Sequence, residues 1–328
     1  MVIDLDFPPD TARARRISAR MHHELGDSLG HVSEVSLGEL PFDAPAMNRL
    51  VASLRAGADY APSVFADYYE LVSAIEAQDA AEATRLFAAL AQARPVTPGL
   101  QIVTLGGAEL REDSARYRRM MSDDPRVDLG FLPPSEQVAS GFRTRLDAGL
   151  ALLGEALPEL SGEIRAIVRQ IVIAGSDPSK AYQCDGGSHY QLWGALFLNG
   201  DFHPDRVAVA EVLAHESAHS LLFGFCTDEP LVENDDDDLY VSPLRIDERP
   251  MDGIYHATFV SARMHWAMTQ LAKWAGLSAE EHDRALDAAA ADASNFASGY
   301  AVVAEYGRLT ALGEGLMAGA KAYMDSAA

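Results

Sequence analysis

The residues with the clearest chemical meaning are His215-Glu216-Ser217-Ala218-His219, a His-Glu-x-x-His run inside 208–223. On a helix, residues four apart share a face, so both imidazoles point the same way. Two imidazoles so placed can hold one divalent metal ion, with Glu216 about a third of a turn away. The spacing predicts the helix: Val209, Val212, Leu213, Glu216, Ser220 and Phe223 recur at its period, and four of these six are apolar. No proline or glycine interrupts 208–223, Asp205 can cap its start, and Gly224 suits its stop.

Two histidines hold a metal weakly, so a third ligand is needed. His256 is the best placed, at the start of a later helix where a first turn can face a cleft. Glu248, Glu233 and His189 are outsiders for the same position, and His265, beside Trp266, is expected to pack. A peptidase of the gluzincin type would use a downstream Glu instead. Arg245 and Arg249 lie four residues apart beside prolines that stiffen the backbone, and either guanidinium can clamp a carboxylate through two parallel bonds. The alternative is that they pair with Asp247, Glu248 or the acidic run 233–238, which lacks the central glycine and ligand spacing of a calcium loop and reads as solvated.

These residues need elements to position them. Residues 167–174 are β-branched and apolar, turns follow at Gly175-Ser176-Asp177-Pro178 and Asp185-Gly186-Gly187-Ser188, and 190–199 is again strand-like. Two strands thus feed the metal helix, the order found in zinc peptidases of the zincin type. A long helix from Met251 to Trp274 and two more, over 279–297 and 301–323, finish the chain. Upstream, 11–29, 41–57, 63–94, 108–121 and 136–157 carry helical patterning, with a short strand expected at 101–105. Arg13, Arg15, Arg16 and Arg20 read as a solvated helix face, and His22, His23 and His31 as surface residues. The expected fold is α+β and mostly helical: a helical region over 1–160, then a zincin-like metal-binding half over 161–328 whose small sheet is packed by the His-Glu-x-x-His helix.

Composition bounds the partners. The chain has 328 residues, 48% apolar and 23% charged, and a net charge of −23, which disfavours nucleic acid because phosphate binding needs a basic face. The acidic balance suits a neutral or basic peptide partner. The longest apolar run, near 192–198, is too short to span a bilayer. Cys184 and Cys226 are too few for a disulfide framework and are expected to be inert thiols. With no leader pattern at the first residues, a cytoplasmic location is expected. Oligomeric state is not readable from these features.

The combination of His215-Glu216-Ser217-Ala218-His219 with Tyr240-Val241-Ser242-Pro243-Leu244-Arg245-Ile246-Asp247-Glu248-Arg249-Pro250 and Gly253-Ile254-Tyr255-His256 resembles the HExxH-motif family of peptide-modification proteins, over roughly 167–274. Leu244 stands where that family usually has Trp, and Glu248 where it often has Asp, which bears on pocket shape. The resemblance implies an iron(II)- and 2-oxoglutarate-dependent hydroxylase that acts on a side-chain β-carbon of a ribosomally made precursor peptide. It further implies a metal held by His215, His219 and His256, and a co-substrate site drawn from Tyr240, Ser242, Arg245 and Arg249. Glu216 would then act on the metal's surroundings rather than as a hydrolytic base. The competing readings are a zinc metallopeptidase with Glu216 as general base, and a non-catalytic peptide-binding module.

Overall fold

Local signals set the helix starts. In the computed structural model, which describes residues 4–111, 113–122, 130–177, 179, 183–242 and 248–327, aspartates cap three early helices. Asp10 caps α1 (Thr11–Val35), Asp43 caps α2 (Ala44–Arg55) and Asp79 caps α4 (Ala80–Gln92), each accepting a backbone N–H of the first turn. Between α2 and α4, α3 (Pro62–Glu76) opens on a proline, whose missing N–H costs nothing at a helix start. The helical stretch expected over 63–94 is therefore two helices. Gln78, at φ +58°, breaks it, and Asp79 restarts it.

The sheet comes next. It comprises β1 (Gln101–Thr104), β2 (Phe131–Leu132), β3 (Gln170–Ser176), β4 (Gly186–Ser188) and β5 (Ala195–Asn199). Its order is β1-β3-β5-β4, with β2 paired to the end of β3; β1, β3 and β5 are parallel and β4 runs antiparallel at the edge. The central strands are buried on both faces, which explains their unbroken apolar runs. Ile171, Ile173, Leu196 and Leu198 face a core shared with α6 (Glu136–Ala156), α7 (Pro158–Ile167) and α8 (Arg206–Phe225). Val172, Ala174, Ala195 and Phe197 face the other way, against Tyr117 and Met120 of α5 (Asp113–Met120) and Phe131.

The expected strands need correction at their ends. Ile167 closes α7 and β3 begins only at Gln170, while Tyr190–Leu192 is a 3₁₀ turn that precedes β5. The expected helix at 108–121 is shorter, beginning at Asp113 among the described residues. After α8, a two-stranded ribbon of β6 (Leu239–Tyr240) and β7 (Arg249–Pro250) leads straight into α9 (Met251–Ala272). Then α10 (Ala279–Tyr306) and α11 (Ala311–Ala327) follow. The break expected near 297–301 does not occur: Gly299 is buried inside α10, where packing holds the helix through it.

The fold is thus α+β and mostly helical, and its small sheet is packed by the His-Glu-x-x-His helix through β4 and β5. The largest core joins residues of α1–α4 with residues of α8, α9, α10 and α11. Among the described residues no helix is long and apolar enough to cross a membrane.

Candidate metal centre

Helix α8 is where the site begins. Asp205 caps it as expected, accepting the N–H groups of Val207 and Ala208 at 2.9 and 3.1 Å. The helix runs through Gly224 to Phe225, because Gly224 is packed against Ile17 and Trp193 and has no room to turn the chain there. From Glu211 to Phe225 every residue is buried except Glu211, His215, His219 and Phe223, each half-exposed and each four residues from the next. An otherwise buried helix therefore opens along one stripe, and that stripe carries both histidines of the motif.

Along it, His215 Nε2 and His219 Nε2 lie 3.1 Å apart. The other nitrogen of His219, Nδ1, lies 3.0 Å from Nδ1 of His256, and these two rings stack at 15°. His256 sits on the second turn of α9 and is 8% exposed. Two motifs 37 residues apart in sequence thus meet through the crossing of α8 and α9. Two nitrogens about 3 Å apart fit adjacent positions on one ion with metal–nitrogen bonds of about 2.1 Å. Among the described residues no three His, Cys, Asp or Glu side chains stand in a ready-made ligand set, since His256 faces the far nitrogen of His219. Rotation of that ring about its side-chain torsions is what the third ligand position requires.

The protonation states suit a cation. Burial lowers the pKa of all three imidazoles, most for His219, where the neighbouring rings add to the effect. Neutral imidazole is the form that binds metal. The carboxylates of Asp185 and Asp252 oppose the shift at His215 and His256 respectively. Asp252 Oδ1 lies 4.0 Å from His256 Nε2.

Glu216 is 3% exposed, with Oε1 4.0 Å from His215 Nε2. A Cβ on Gly186 would lie 2.7 Å from that Oε1, so the edge strand β4 reaches the carboxyl only because it has glycine there. Burial pushes the Glu216 pKa well up, the charge of Asp185 adds to this, and a hydrogen bond from Ser188 opposes it. Glu216 Oε2 is buried and accepts no hydrogen bond.

The predicted co-substrate residues divide. Arg245 lies outside the described residues. Tyr240 and Arg249 are cross-strand partners in the β6–β7 ribbon, and Arg249 Cβ packs 3.6 Å from where a Gly253 side chain would start, one turn before His256. Asn234 Nδ2 donates to the Tyr240 hydroxyl at 2.9 Å. Ser242 is half-buried just beyond β6. Of the outsiders for the third ligand, Glu233 and Glu248 are exposed, and His189 Nδ1 accepts the N–H of Gln191. His265 packs as expected, 2.7 Å from the hydroxyl of Tyr323.

Sequence reasoning missed Asp185. It read 185–188 as a turn, whereas 186–188 form the edge strand and Asp185 acts on His215, Glu216 and Glu211. The adjacent glycines were the available signal, since paired glycines beside a strand mark close approach. His22 was also misread: it is 1% exposed, donating to Ser18 O and accepting the N–H of Tyr60. The acidic run at 235–238 is exposed as expected, and burial pushes the Cys226 thiol up to about 12.

No family model matches this chain, and no curated protein matches it. Its functional reading rests on its own residues.

Proposed function

We propose that the chain is a metal-dependent peptide-modifying oxygenase, with His215, His219 and His256 holding iron(II) and a 2-oxoglutarate site beside them on the β6–β7 ribbon. The observation that carries this reading is the meeting of the two α8 imidazoles with His256, 3.1 and 3.0 Å apart along one open stripe. It is supported by the resemblance of the segment 240–256, whose ribbon hands the chain directly into the turn bearing His256. In this reading the half around α8 is zincin-like, with β4 as the edge strand above the cleft.

The chain's own residues do the following. The three neutral imidazoles bind the cation, while Asp185 and Asp252 supply negative charge around it. Arg249 and Tyr240 orient the carboxylates of the co-substrate, with Arg245 and Ser242 as its remaining contacts. Glu216 stays beneath β4, close to His215 without pointing a free oxygen into solvent. When bound, iron(II) with 2-oxoglutarate supplies dioxygen activation for hydroxylation of an aliphatic C–H bond. The substrate is a precursor peptide, and a protease-like base has no task in that reaction.

One observation favours a second reading, a zinc metallopeptidase. A buried carboxyl 4.0 Å from a metal-binding nitrogen, with one oxygen unengaged, is where a general base for metal-bound water belongs. The deciding experiment is anaerobic reconstitution of the whole chain with iron(II), then titration with 2-oxoglutarate. The expected result is about one iron per chain and a visible charge-transfer absorption that saturates with 2-oxoglutarate. His215→Ala, His219→Ala and His256→Ala should each abolish it, and Arg249→Lys should weaken 2-oxoglutarate binding tenfold or more, about 1.4 kcal/mol per tenfold. Tight zinc binding, no response to 2-oxoglutarate, and peptide cleavage lost in Glu216→Gln would establish the peptidase instead.

A further inference from the structure

The open stripe of α8 does not end at the histidines. The ring of Phe223 lies 5.4 Å from that of His256, Tyr190 lies 6.4 Å from Phe223, and Tyr69 of α3 lies 5.3 Å from Tyr190. These rings form one partly exposed aromatic strip from the candidate metal centre to the N-terminal helices. Tyr190 is its most open member, at 46% exposure. His189 stacks on it at 20°, while Tyr69 and Phe223 meet it at steep angles, so neighbouring rings of the strip alternate between edge and face.

Such a face carries the negative side of the ring quadrupole and attracts cations. The carboxylates acting on the metal-centre end of this strip are those of Asp185 and Asp252. Asp185 is exposed at the start of the strand that leads to Tyr190, and the side chain of Asp252, beside His256, is 55% exposed. An aromatic strip with the exposed Asp252 carboxylate beside its metal-centre end, 4.0 Å from His256 Nε2, complements a guanidinium or ammonium group.

We infer that the strip Tyr69–Tyr190–Phe223 docks a cationic side chain, Arg or Lys, of a peptide whose neighbouring residue enters the candidate metal centre. The proposal rests on the peptide-modifying reading for the identity of that chain, but the docking itself needs neither metal nor turnover. It also gives the N-terminal helices a task, because α3 supplies the far end of the strip.

The test is calorimetric titration of the whole, metal-free chain with the end-blocked pentapeptide Gly-Ser-Arg-Ser-Gly, and with the same peptide carrying citrulline for arginine. Citrulline keeps the shape and removes the charge. The arginine peptide should bind about three- to thirtyfold more tightly. Tyr190→Leu should erase that preference and Tyr69→Leu should reduce it, whereas neutralising Asp237 and Asp238 in the exposed acidic run should leave it in place. Equal affinities in the parent, no binding of the arginine peptide at millimolar concentration, or a preference that survives in Tyr190→Leu would each overturn the proposal. Loss of the preference together with Asp237→Asn and Asp238→Asn would reduce it to general attraction by an acidic surface and overturn it equally. Iron binding in the parent reports on the oxygenase reading separately: iron and 2-oxoglutarate binding without the arginine preference removes the docking strip alone.

Discussion

Two buried glutamates show how differently this molecule treats a carboxyl. Glu163 on α7 is saturated: Oε2 accepts the amide of Asp10 at 3.1 Å and Arg13 at 3.2 Å, while Oε1 accepts Arg263. Both arginines also donate to backbone carbonyls, Arg13 to those of Asp6 and Pro8 and Arg263 to that of Phe7, so that the carboxylate is fully engaged although Arg13 Nε is buried without a partner. Glu216 on α8 is as deeply buried, yet one of its oxygens accepts nothing. A buried charge repays its desolvation only through complete pairing, so the first arrangement is a structural joint. The second leaves polar capacity beside a cluster of imidazoles, the arrangement on which the proposed metal chemistry draws.

Four measurements separate a saturated buried carboxyl from an unengaged one. Glu163→Ala leaves two buried guanidiniums without their carboxylate and should cost about 3–5 kcal/mol of unfolding free energy by urea titration, with Glu163→Gln between it and the parent.

A third buried carboxyl, Asp292 of α10, is 1% exposed, with Oδ2 unengaged, and burial together with the charge of Glu211 raises its pKa to about 8. Glu211 itself is raised to about 7 by burial and by Asp185 and Asp205. Between the ordinary carboxylate range and those values the folded chain holds protons that the unfolded chain has released. The contribution of this pair to stability should therefore fall as pH rises from about 4 to about 8 and level off above. The buried histidines, whose pKa values are lowered, act in the opposite sense below about 6.5. Asp292→Asn removes much of that slope. It should match the parent at acid pH and exceed it by about 2–4 kcal/mol at pH 9, read from denaturation midpoints at both pH values. A difference between Asp292→Asn and the parent that does not grow from acid pH to pH 9 would contradict this account of the pair.

Asp205→Ala removes the cap of α8 and should cost about 1 kcal/mol while leaving iron affinity within twofold or so, separating scaffold from site. The smallest effect is expected for Glu216→Gln. It should move the unfolding midpoint by less than about 1 kcal/mol, because little hydrogen bonding is there to lose. A loss as large as that of Glu163→Ala would make Glu216 a second structural joint.

Much of the architecture was legible because its signals are local. The α8 period, its Asp205 cap and the shared face of His215 and His219 follow from spacing along one helix, whereas the expectation for His256 came from its place at the start of a later helix and from the family resemblance. What escaped reading depends on tertiary contact. Arg13 stands in a run of four arginines that patterns as a solvated face, and only the fold brings Glu163, 150 residues away, beside it. His22 is inside for the same reason, accepting the N–H of Tyr60 from beyond α2. The role of Asp185 requires β4 to lie along α8, a placement that a three-residue strand with two glycines does not announce.

The Arg263 guanidinium that meets Glu163 also grips the carbonyl of Phe7, a contact spanning 256 residues. During synthesis the segment around Phe7 leaves the ribosome well before α9, which carries the Arg263 that holds it. Contacts of such long range are late and slow to close. The segment around Phe7 therefore settles late, while α1 already packs against α2 and α7. Refolding should show this as a final phase in which the fast, local assembly of the helices is complete but the stability conferred by the Arg13–Glu163–Arg263 joint has yet to arrive.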